Sequence, residues 1–184
     1  LLVRLFCQPA QDAVLITPPT FGMYETSAAL QGARVVRAPL CRDNDFQLDA
    51  AGIAPYWDAS IKVIFLCSPN NPTGGVIPNE TISTICRAYQ GKSIVVVDEA
   101  YAEFSECSAI GLLEDHDNLV VLRTLSKAFG LAGLRCGVAL SSPRLIEWLC
   151  RIIAPYPVPG FVEPQVLEAF STSQTRARQM KIAT

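Results

Sequence analysis

Four short apolar runs set the rhythm of this chain: AVLIT at 13–17, KVIFLC at 62–67, IVVV at 94–97 and LVVL at 119–122. Each lacks polar alternation and is bounded by turn or charged residues, so each predicts a strand covered on both faces. Two weaker strands join them. ARVVRA at 33–38 is half polar and belongs nearer an edge, and residues 137–140 give one more. Between the strands the spacing turns helical. Residues 24–30 close at Gly32 in the C-cap position, residues 78–89 put Ile82, Ile85, Cys86 and Tyr89 on one face, and residues 143–153 form the last helix. Leu1 to Phe6 reads as the end of a helix, and 49–59 as a weak helix containing Pro55. Strands alternating with helices predict an α/β fold, a mostly parallel sheet with helices on both faces.

Composition narrows the class. At 184 residues, 50% apolar and 17% charged, the chain can bury one substantial core, and no shift in composition, repeat or low-complexity tract divides it. A net charge of -2 with scattered basic residues argues against a nucleic-acid surface, and no apolar run approaches membrane-spanning length. The seven cysteines are irregularly spaced inside apolar stretches, without a CxxC pair. They are expected to be free thiols packed as small hydrophobes in a reducing cytosol, with no zinc site. The single histidine, His116, lies in the acidic stretch EDHDN and is expected to be structural. The absence of an initiator Met and of a helix cap at the start leads to the expectation of a piece of a longer protein.

Three of the buried strands run directly into polar residues of different kinds. KVIFLC leads to SPNNPTGG, IVVV to DEAY, and LVVL to RTLSK. In a parallel sheet these ends share one edge, so Asn71, Asp98 and Lys127 are expected to converge on a single crevice. Lys127 is the candidate nucleophile, an amine that needs a desolvated pocket or a neighbouring cation to become neutral. Asp98, placed after four aliphatic residues, needs a cation or strong donor to hold its charge. Tyr101 should face the same crevice, its phenol available to a ligand oxygen. Thr124, Ser126 and Arg135 read as an anion cradle, combining hydroxyls with a planar fork of donors. Neither a GxGxxG after a strand nor a GxxxxGK is present, which weakens a nucleotide-binding reading.

The blocks SPNNPTG, VVVDEAY and RTLSKAFGLAGLRCG, in this order and spacing, resemble the fold-type I pyridoxal-phosphate aminotransferases of class I/II. Together with PPTFGMY and RIIAPYP, they are most similar to the histidinol-phosphate branch of that family. The resemblance implies that the chain is the central part of the large cofactor-binding domain, without an N-terminal segment or a C-terminal small domain. By itself it is then expected to show little transamination. The resemblance further implies that the cofactor is pyridoxal 5'-phosphate and that Lys127 bonds it and shuttles the substrate proton. Asp98 would pair with the ring nitrogen, Asn71 and Tyr101 with the phenolic oxygen, and Thr124, Ser126 and Arg135 with the phosphate. Phe21 stands where many relatives carry a tyrosine that stacks on the ring, and Tyr24 is the fallback for that role. The implied reaction moves an amino group between histidinol phosphate and 2-oxoglutarate, with amino-acid and keto-acid substrates, in a cytoplasmic homodimer. An aromatic aminotransferase, a decarboxylase resembling those acting on threonine phosphate, and a non-catalytic remnant are the alternatives.

Overall fold

The computed structural model describes residues 1–171. Its centre is a six-stranded sheet in the order β2-β1-β3-β4-β5-β6, formed by β1 (Ala13–Ile16), β2 (Arg34–Arg37), β3 (Ile61–Cys67), β4 (Ile94–Asp98), β5 (Leu119–Thr124) and β6 (Gly137–Ser141). Pairings from β2 through to β5 are parallel, and β6 runs antiparallel to β5. The mostly parallel α/β architecture expected from the sequence is the one observed.

The uninterrupted apolar runs have a direct cause. Successive side chains on a strand point to opposite faces, and both faces here carry a hydrophobic cluster. Ile64, Leu66, Val95, Val97, Leu119 and Val121 enter one cluster, while Val63, Phe65, Val96 and Val120 enter the other. The first is closed by α3 (Asn79–Ala88), which buries Ile82, Ile85 and Cys86. The second is closed by α1 (Leu2–Phe6), α2 (Met23–Gln31) and α4 (Pro143–Ile152), which contribute Leu2, Val3, Tyr24, Ala28, Leu145 and Leu149. Helix α2 stops at Gly32, whose φ of 71° is left-handed backbone that glycine adopts without a Cβ penalty. β2 is the edge strand expected from its polar ends; Arg34 and Arg37 are exposed.

Two expectations need correction. The segment 49–59 is not a helix but two 3-10 turns, Ala50–Gly52 and Ala54–Tyr56, anchored by the fully buried Ile53. Gly52 and Pro55 are too close together for an α-helix to propagate between them. A helix α5 (Val162–Ser171) also follows α4, although Pro159, Gly160 and Pro164 read as breakers. Pro164 lies in its first turn, where the missing N–H has no intrahelical partner to lose.

The cysteines divide into two groups. Cys7, Cys67 and Cys86 are buried as expected, whereas Cys41, Cys107 and Cys150 are exposed, so only part of the set packs as core; no disulfide links any of the seven. Burial pushes the Cys7 thiol up to about 11 and the Cys86 thiol up to about 12, from an ordinary value of 9.0. The folded chain therefore holds protons that the unfolded chain releases above pH 9. These thiols lower stability as pH rises from about 9 towards 12, and leave it unchanged below that window. Denaturant midpoints measured between pH 8 and 11 are expected to fall with rising pH. Leu66→Ala, at a fully buried site, is expected to cost about 2–5 kcal/mol in the same unfolding experiment.

Candidate active site

The site follows from strand order. β1 is flanked by β2 on one side and β3 on the other, so the chain reverses its direction of travel across the sheet between β1 and β3. Ligands of open α/β sheets bind in the crevice at the carboxyl ends beside such a switch point. The segment after β1 carries Phe21, the loop after β3 carries Asn71, β4 ends on Asp98, and β5 leads to Lys127. Register keeps these ends level. Cys67 lies opposite Asp98, and Asp98 opposite Leu122. The sequence-based expectation of one shared edge therefore holds for the backbone.

The loop after β3 is pinned by Asn70. Its side-chain amide donates to Pro19 O at 2.9 Å and to Thr73 Oγ1 at 2.8 Å, and its oxygen accepts from Thr20 Oγ1 at 3.2 Å. Asn70 is thus consumed in holding the loop against the segment that carries Phe21. The Asn71 side chain makes no hydrogen bond among the described residues and lines a groove of about 380 Å³ shared with Tyr101, Phe104 and Ser105.

Asp98 sits at the end of β4 with a partner that the sequence reading had assigned elsewhere. Tyr24 Oη donates to Asp98 Oδ2 at 2.8 Å, and the Ala100 N–H donates to Oδ1 at 3.1 Å. Tyr24 is buried and stacked on Phe65, with ring centroids 4.6 Å apart and planes within 5°. Desolvation raises its phenol far above the ordinary value, and the charge of Asp98 adds to the shift, so it remains a donor. Tyr24 is therefore a support for the carboxylate. Phe21, 41% exposed, contacts Tyr24 edge-on at 5.6 Å.

Lys127 departs from the expected desolvated pocket. It is exposed, with its Nζ 5.2 Å from the centre of the Tyr101 ring. Among the described residues no carboxylate pairs with it. Buried Leu125 and Ala128 peg the chain on either side, and the Gly130 N–H donates to Lys127 O at 2.9 Å. The anion cradle is only partly assembled. Thr124 Oγ1 accepts from the Ser126 N–H at 3.1 Å, but the exposed Arg135 turns back to donate to Ala132 O at 3.1 Å. His116 is buried and hydrogen-bonded to Ser83 Oγ at 2.8 Å, remote from the strand ends, in keeping with a structural role. A larger cavity of about 770 Å³, lined by Lys62, Lys92, Asn118 and Trp148 among others, opens at the amino ends of β3 and β4 and touches none of these residues.

A partly buried ion-pair network, with no member among the candidate residues, lies beside the site. Glu99, 2% exposed, and Glu103 share the Arg123 guanidinium at 2.7 and 2.8 Å. The signal was available: an arginine ends an otherwise apolar strand, and an acid directly follows Asp98.

Comparison with known proteins agrees with this geometry. The pattern of the family "Aminotransferase class I and II" matches residues 1–183. A histidinol-phosphate aminotransferase of Vibrio parahaemolyticus is 49% identical over 172 residues, covering 93% of this chain and 49% of that protein. One from Serratia proteamaculans is 45% identical over 183 residues, covering 99% and 50%. The chain thus spans about half the length of the curated relatives it matches. Among solved structures, the histidinol-phosphate aminotransferase of Sinorhizobium meliloti in complex with pyridoxal-5'-phosphate superposes with a TM-score of 0.85 at 26% identity, covering 98% of this chain and 50% of that one.

Removing the phenol that supports Asp98 is expected to be costly. Tyr24→Phe leaves a half-buried carboxylate oxygen short of a donor and should destabilise the protein by about 1 kcal/mol in urea unfolding. Tyr24→Phe unfolding at the wild-type urea concentration would contradict that role.

Proposed function

We propose, starting from the fact that this chain belongs to the aminotransferase class I and II family, that it is the central part of the large cofactor-binding domain of a pyridoxal-phosphate-dependent histidinol-phosphate aminotransferase. The observation that carries this reading is the spread of unmatched groups along one sheet edge. Asp98 has two neutral donors but no cation, Lys127 has no carboxylate, and the Asn71 amide has no partner among the described residues. A ligand with a cationic ring N–H, a phenolic oxygen, an aldehyde and a phosphate satisfies this set; pyridoxal phosphate has all four. Its identity in the Sinorhizobium relative supports the choice, as do the names of the relatives that share nearly half of the aligned residues.

When bound, the cofactor supplies an electron sink for the substrate α-carbon and carries the amino group between half-reactions. Each residue then has a task that follows from its chemistry. Asp98 holds a proton at the ring nitrogen, itself oriented by Tyr24 Oη and the Ala100 N–H. Lys127 Nζ would hold the cofactor covalently and would serve as the base that moves the proton to and from the substrate α-carbon. Asn71 and Tyr101 donate to the phenolic oxygen, and Phe21 covers a ring face. Thr124, Ser126 and Arg135 bind the phosphate, for which the Arg135 side chain must leave Ala132 O. Lys127 is exposed in this structure, and in the proposed reading the bound cofactor supplies its desolvation.

The proposed reaction exchanges the amino group of histidinol phosphate with 2-oxoglutarate in histidine biosynthesis. The proposed setting is a cytoplasmic homodimer, a reading supported by the resemblance and, for the compartment, by seven unpaired cysteines. No described helix is long and apolar enough to cross a membrane.

The full-length protein is expected to show a visible cofactor band that borohydride fixes covalently to Lys127. Lys127→Ala is expected to abolish fixation and lower kcat by about 10³-fold or more. Faster turnover of phenylalanine, or decarboxylation of threonine phosphate, in place of transamination of histidinol phosphate would redirect the substrate assignment. A band fixed at another lysine would overturn the site.

A further inference from the structure

The segment that carries Tyr101 is a short loop, and part of its hold on the site comes from residues not proposed to touch cofactor. After β4 the chain runs through a 3-10 turn, Ala102–Phe104, and on to Ser108, and the side chains of Glu99, Glu103 and Ser108 in this stretch all lead to Arg123, next to last in β5. Arg123 Nε donates to Glu99 Oε2 at 2.7 Å, Nη1 to Glu103 Oε1 at 2.8 Å and Nη2 to Ser108 Oγ at 3.0 Å. Glu99 completes the ring, accepting from Ser108 Oγ at 2.9 Å and from the Ala109 N–H at 2.5 Å. Its own N–H donates to Leu122 O at 2.9 Å, in line with the strand pairing of β4 and β5.

Tyr101 lies midway between the two carboxylates that Arg123 grips. The next residue after Arg123 is Thr124, whose hydroxyl opens the turn that presents Ser126 and Lys127. The guanidinium therefore ties the Tyr101 loop to the Lys127 loop and sets the 5.2 Å approach of amine to ring. A guanidinium suits the task because its planar fork holds three partners in fixed directions, which an ammonium on a flexible stem does not. The cluster sets one cation against two carboxylates, and Glu103 Oε2 is buried without a partner. Without Arg123, the buried Glu99 carboxylate and the partly buried Glu103 carboxylate would be left without a cation, which disfavours the loop's present position.

We infer that Arg123, with Glu99 and Ser108, is a positioning residue of the site, holding Tyr101 over Lys127 so that the phenol meets the phenolic oxygen of the cofactor. The inference rests on the proposed cofactor site and extends it to residues that do not touch the ligand.

The test is a double-mutant cycle in the full-length protein, combining Arg123→Met with Tyr101→Phe. Two quantities are read: the dissociation constant of pyridoxal phosphate for the apoprotein, and the pH midpoint of the visible band of the bound cofactor. Arg123→Met is expected to weaken cofactor binding about tenfold and to move the midpoint in the direction that Tyr101→Phe moves it, with no further movement in the double variant. Arg123→Lys should recover part of the midpoint shift. Ser108→Ala, which deletes a single hydroxyl, should give the same change at about threefold, and serves if Arg123→Met does not fold. A midpoint that stays at the wild-type value in Arg123→Met, or in both Arg123→Lys and Ser108→Ala where Arg123→Met fails to fold, overturns the inference. Shifts from Arg123 and Tyr101 that simply add overturn it as well. A wild-type protein with no visible band sinks the cofactor reading and this inference together, whereas a normal wild-type band with an unmoved variant leaves the cofactor reading intact.

Discussion

The parallel, in-register pairing of β3, β4 and β5 is the constraint on which the rest depends. Each strand is apolar on both faces because each face is buried under helices or turns, and that burial leaves polar residues nowhere to go but the strand ends. With Cys67, Asp98 and Leu122 aligned, the loops after β3 and β4 leave the sheet at one level and β5 runs two residues further before its own loop. A one-residue slip in β4 would exchange its faces and turn Val96 out of its cluster, so the packing of the core and the placement of Asp98 are secured by the same register.

The antiparallel β6 adds a second constraint. It returns beside β5, with Thr124 paired to Gly137, and so folds residues 125–136 back over the carboxyl edge of the sheet. Gly137 suits this approach: a Cβ there would lie 3.2 Å from Arg123 O, a tight contact that the strand would have to relax by a few tenths of an ångström to accept. On β5, the partly buried Arg123 guanidinium joins the strand that leads to the lysine to the tyrosine-bearing loop.

Around the site, charge is handled by neutral donors on one side and an ion-pair network on the other. Asp98 accepts from a phenol whose own proton is secured by burial, and no protein cation among the described residues is paired with it. Glu99, one residue later and on the opposite face of the strand direction, is neutralised by Arg123. Adjacent acids thereby take unlike roles: one is kept available to a ligand, and its neighbour is consumed in structure. The same division separates Asn70, fully engaged in the loop, from Asn71, which faces the groove with its amide unused.

Much of this was written in the sequence. The strands, the helices at 24–30, 78–89 and 143–153, the edge position of β2 and the sharing of one edge by Asn71, Asp98 and Lys127 follow from periodicity and from polar residues terminating apolar runs, which are local properties of the chain. Local rules failed where the outcome hung on distant partners. The 49–59 segment took 3-10 turns around the buried Ile53, and α5 formed with Phe170 against Phe129 despite Pro164. Three cysteines stayed at the surface. Lys127 was left exposed above Tyr101, and Tyr24 went to Asp98 across 74 positions of sequence. Hydrophobic patterning decides which residues leave water, because burial depends on each residue's own transfer free energy. Which donor meets which acceptor is decided only when the strands have chosen their neighbours, because a hydrogen bond needs its two atoms within about 3 Å and no sequence spacing encodes that distance.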